Sequence, residues 1–144
     1  MENIVNAENF FLMGVKKGTP EYEVRKAQTH VMANLMAQEN LLIQNIENFG
    51  LDKPMEELFA NLDPFGVEYT ANHLLPIFVR AEMLAKISDR QLNWIEEKYE
   101  VGDMSAHTQM NFACLRETIR KFSVTYLNGY YRKVHLALLR EYNR

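Results

Sequence analysis

The sequence predicts an all-α chain: a single helical bundle of five or six helices, with two long ones at about 20–48 and 105–142. Three observations carry this. Apolar residues recur at three- and four-residue intervals over long windows. Glycine, proline and small hydroxyl residues fall where helices start and stop. No β-hairpin signal appears anywhere.

The first helix is expected over 2–17, with Ile4, Ala7, Phe11 and Val15 on one side and a stop at Gly18. Glu2 and Glu8, with no basic residues before them, make this stretch a helix rather than a signal peptide. Thr19 then reads as an N-cap, Pro20 as the first helical residue and Glu21 as first-turn acid. The helix they open runs to Asn48 and stops at Gly50, with Val24, Val31, Leu35, Leu42, Ile46 and Phe49 on one stripe.

"LDKPMEELFANL" predicts a short helix capped by Asp52, and "DPFG" (63–66) a turn. A helix over about 68–87 follows, lined inward by Leu74, Phe78, Ala81 and Ala85 and kinked by Pro76. Ser88 with Gln91 resembles a capping box that opens another helix, with Leu92, Ile95 and Tyr99 inward and a stop near Gly102. Ser105 caps the last helix, expected to reach 142 as a rod of roughly 55 Å.

That last helix carries two apolar stripes where one would serve. Phe112, Leu115, Ile119, Phe122 and Tyr126 form the first; Val124, Leu127, Tyr131, Val134, Leu138 and Tyr142 form the second, a quarter-turn or more away. Gly129 sits between them, costing about 1 kcal/mol relative to Ala in a helix and pointing to a close backbone approach or a bend. Either the helix crosses two neighbours in turn, or the tyrosine-rich second stripe is an interface. The interface reading assigns contact to Val124, Leu127, Tyr131, His135, Leu138 and Tyr142.

The bulk numbers are those of one globular domain over 1–144: 47% hydrophobic, 24% charged, a net charge of −3. Residues 1–104 hold nine Lys/Arg and seventeen Asp/Glu, a balance of −8; residues 105–144 hold seven and two, a balance of +5. The basic end pairs either with the acidic body or with an acidic partner. Its cations fall in three pairs around the helix (Arg116 and Arg120, Lys121 and Arg132, Lys133 and Arg140) rather than in a stripe tracking phosphates, so nucleic acid is not the expected partner. One cysteine, Cys114, excludes an internal disulfide and suits a reducing compartment. No apolar run approaches the ~18 residues of a membrane span, so a cytoplasmic protein is expected.

No catalytic motif survives inspection. His30, His73, His107 and His135 lack the spacing of a local metal pair, and no Glu-x-x-His lies on any helix, so neither a metal site nor a cofactor is expected. "GVKKGT" (14–19) lacks the order of a phosphate loop and reads as a helix stop followed by an N-cap. Glu39 projects onto the apolar stripe of the second helix, and Gln28 lies on the same line three turns earlier. A buried carboxylate needs a partner, and Arg80, Arg116, a histidine or a helix N-terminus are the candidates.

The sequence therefore points to a non-enzymatic binding or regulatory protein that works through a protein partner or as a homodimer. The alternative is a ligand-binding or sensor bundle with an internal polar pocket near Gln28 and Glu39.

Overall fold

The structure, a computed structural model, describes Leu12 and residues 14–144. These residues form helices and turns with no strand. Five α-helices occur among them: α1 (Pro20–Phe49), a six-residue α2 (Met55–Ala60), α3 (Pro64–Tyr99), α4 (Ala106–Phe122) and α5 (Tyr130–Tyr142). Four of these exceed two turns, rather than the five or six helices expected. The helix expected over 2–17 lies outside the described residues except at its end, where 14–19 form turns and Gly18 has φ +89°.

Local chemistry explains the boundaries. Thr19 Oγ1 accepts the Tyr22 N–H at 3.2 Å, so α1 begins on its N-cap with Pro20 in first position. It ends in a Schellman motif: Gly50, at φ +70°, donates to the Glu47 carbonyl while Leu51 donates to Ile46. The expected Asp52 cap is absent; Pro54 holds that position, with no side-chain bond. "DPFG" opens α3 instead of forming a separate turn: Asp63 Oδ1 accepts the Gly66 N–H at 2.7 Å and Pro64 is the first helical residue.

Two boundaries are corrections. The helices expected over 68–87 and from 88 onward are one, the 36-residue α3. No glycine or proline interrupts residues 77–99, and Ser88 is a buried position within the helix rather than a cap. Conversely, the rod expected over 105–142 is broken. Ser123–Leu127 forms a π turn in which Asn128 donates to the Ser123 carbonyl five residues back, and α5 restarts at Tyr130. A Cβ on Gly129 would lie 2.5 Å from the Thr125 carbonyl oxygen, so only glycine fits the break.

The chain forms two compact units. The first runs to Ala37 and takes up Ala85–Arg120; the second comprises Gln38–Leu84 and Lys121–Arg144. Val24, Val31, Leu35, Leu92, Phe112 and Leu115 are core in the first. Leu42, Leu51, Leu74, Phe78, Val134 and Leu138 are core in the second. No helix among the described residues is long and apolar enough to cross a membrane.

Candidate functional site

The break at Gly129 accounts for the two stripes of the last helical stretch. In an uninterrupted α-helix Phe122 and Val134, twelve residues apart, would point about 120° away from each other. The π turn and the glycine reset the phase, and both residues are buried. Val134 and Leu138 of the second stripe lie on the inner face of α5. Leu138 and His135 are each 0% exposed, so neither lies on the open surface of this chain. Leu127 and Tyr131 are half-buried; only Val124 and Tyr142 are exposed, and Val124 lies on the π turn, before α5 begins.

His135 is held from both sides. Arg132 can only donate, so Nδ1 accepts from its guanidinium at 2.6 Å; a carbonyl can only accept, so Nε2–H donates to Ala71 O at 3.0 Å. The ring stacks on Phe78 at 4.9 Å between centroids. Burial holds its pKa below the usual histidine value, and the adjacent Arg132 charge adds to this against the Ala71 bond. Both ring nitrogens are occupied by protein partners.

Gln28 belongs to the first unit and Glu39 to the second, and each has its own partners there. In the first unit Gln28 donates to Thr108 O at 3.1 Å and accepts from Asn111 at 3.2 Å. Arg25 Nε donates to Thr108 Oγ1 at 2.7 Å. Glu21 accepts from Thr108 Oγ1 and from both the amide and hydroxyl of Ser105, the N-cap of α4. Those hydroxyl bonds, Ser105's first, hold the Glu21 carboxyl below its ordinary pKa. A network so fully paired ties α1 to the start of α4 and leaves little for a ligand to bind. In the second unit Glu39 lies beside the Tyr126 hydroxyl. Burial first, then the Glu39 charge and its hydrogen bond, push the Tyr126 hydroxyl up to about 12.

The open apolar surface lies elsewhere. Within the second unit α3 buries Val67, Ala71, Leu74, Phe78 and Ala81. On the opposite side it exposes Phe65 (81%), Tyr69 (63%), Pro76, Val79 and Met83 (57%). Steps of four, seven, three and four residues keep this outer row within about 40° of one line on the helix. Phe49 closes its first end, with its ring 6.2 Å from Tyr69 and 5.2 Å from His73, and Tyr69 stacks on His73 at 5.6 Å. A shallow groove of about 660 Å³ lies there, lined by Phe65, Glu68, Tyr69, Asn72 and His73. In the first unit the same helix exposes Ile87 and Trp94, with the Lys98 ammonium 4.6 Å from the Trp94 ring.

Sequence reasoning missed this outer row because it followed only the inner stripe and cut the helix at Ser88, although the row's spacing is legible from Phe65 to Met83. No group of three or more His, Cys, Asp or Glu among the described residues is placed to share a metal ion. Comparison with known protein families, curated proteins and solved structures finds no match.

Proposed function

We propose that this chain is a non-enzymatic binding protein that acts through protein contact, with the outer face of α3 as its contact surface and a second copy of the chain as the first partner to test. The observation that carries the reading is the row of exposed large apolar side chains, Phe65, Tyr69, Val79 and Met83, on the side of α3 opposite its buried residues. A helix that carries large apolar side chains on the side opposite its core has more apolar surface than its own core uses, and such exposed surface marks interaction sites. Aromatic residues and methionine suit such contacts: rings supply large area at low entropic cost, and the thioether adapts its shape. A cytoplasmic setting fits the single cysteine, which is exposed.

The test is the mass of the full chain in solution over a wide concentration range, alongside the double variant Tyr69→Asp with Met83→Asp. The native chain is expected to gain mass with concentration. The variant is expected to stay monomeric with an unchanged helical spectrum, since both positions are exposed. A native chain that stays monomeric throughout removes self-association. If the variant also leaves capture of protein partners unchanged, the surface is not a contact site. A ligand-binding role keeps one specific observation in its favour, the hollow beside Tyr126.

A further inference from the structure

The second unit holds a hollow of about 270 Å³ lined by Ile43, Ile46, Glu47, Asp52, Tyr126 and Tyr131. It lies apart from the outer row of α3, on different residues. Its wall is aromatic: the Tyr126 and Tyr131 rings lie 6.2 Å apart and 22° from parallel. Tyr126 belongs to the π turn, and such turns recur at functional sites because the extra residue redirects side chains. The Glu39 carboxylate lies near enough to the Tyr126 hydroxyl to push its pKa up. Tyr130 extends the ladder, its ring 6.5 Å from Tyr131 and its hydroxyl donating to Lys53 O at 3.2 Å.

The two charged residues that line the hollow are both acidic. Glu47 and Asp52 contribute carboxylates, and among the described residues neither makes an ion pair. Glu47 also lies in the last turn of the 30-residue α1, which carries no basic residue there, so the negative end of the helix dipole adds to the carboxylates. Tyrosine faces attract cations through their quadrupole, and carboxylates beside them strengthen the preference. The volume lies just below the roughly 300–1,000 Å³ of sites for drug-sized ligands, so the occupant is small.

We infer that this hollow binds a small organic cation of the alkylammonium class, seated against Tyr126 and Tyr131 and held by Glu47 and Asp52. The test is an amide NMR titration of the full chain with choline and, separately, with its uncharged isostere 3,3-dimethylbutan-1-ol. Choline is expected to shift the Asp52, Tyr126 and Tyr131 amides saturably, and the isostere to bind about tenfold more weakly. Asp52→Asn, an exposed change, and Tyr131→Leu are each expected to weaken choline several-fold while leaving the His135 amide in place as a sign of intact folding.

Three results would overturn the assignment. The isostere binding as well as choline would make the hollow merely apolar. No saturation below tens of millimolar choline would leave no site. Saturation unaffected by Asp52→Asn would place the cation elsewhere, and this variant decides the matter even if Tyr131→Leu unfolds.

Discussion

The surroundings of His135 disfavour a second proton on its ring. Protonating Nδ1 would set an N–H against the Arg132 guanidinium, which itself only donates. Its folded pKa is depressed, so the unfolded chain takes up a proton first as pH falls. Stability from this residue is therefore complete above the ordinary value of 6.5 and is lost as pH drops from there through the folded pKa. Denaturant titrations at pH 5 and 7.5 should show the native chain weaker at pH 5. His135→Ala should be weaker at both, by roughly 2–4 kcal/mol at pH 7.5, with a smaller difference between the two pH values. An undiminished difference would assign the acid sensitivity to other groups. None of this was readable from one histidine on the edge of an apolar stripe, because the ring's partners come from residues 71, 78 and 132.

The break between α4 and α5 decides what the second stripe is for. Leu138 is core, so Leu138→Ala should cost about 2–5 kcal/mol in chemical denaturation. Val124, 53% exposed, should tolerate alanine within about 0.5 kcal/mol. Equal costs would mean that the stripe is not divided as described. Gly129→Ala should destabilise by about 1–3 kcal/mol, because the added methyl meets the backbone carbonyls of Thr125 and Val124 rather than a movable side chain. The sequence already pointed to a bend or close approach at Gly129. What it lacked was the π turn: Ser123–Leu127 carries no proline and no distinctive composition, and its geometry follows from burying both stripes at once. The same limitation explains α3, where a plausible capping box at Ser88 was overridden by helix continuity and burial.

Across the whole molecule, α1 and α3 each contribute residues to both compact units, at Ala37/Gln38 and Leu84/Ala85. Unfolding one unit therefore cuts long helices on which the other depends. Trp94, the one tryptophan, reports from the first unit, and Leu138 lies in the second. Leu138→Ala should lower the denaturation midpoint seen by Trp94 fluorescence as much as that seen by far-ultraviolet circular dichroism. Separate midpoints would show that the units unfold independently.

Apolar periodicity and local caps determined the helical class, the start of α1 at Thr19, its end at Gly50 and the start of α4 at Ser105, because those features act within a turn or two of chain. Local signals also located the inner stripes at Leu35, Leu74 and Leu115. Only the tertiary structure decided that Val134 and Leu138 of the second stripe are core, that Glu39 lies beside Tyr126, and that the outer row of α3 is left open. Burial and pairing depend on which distant segment arrives to cover a face, and helical spacing alone gives a face the same pattern whether or not anything covers it.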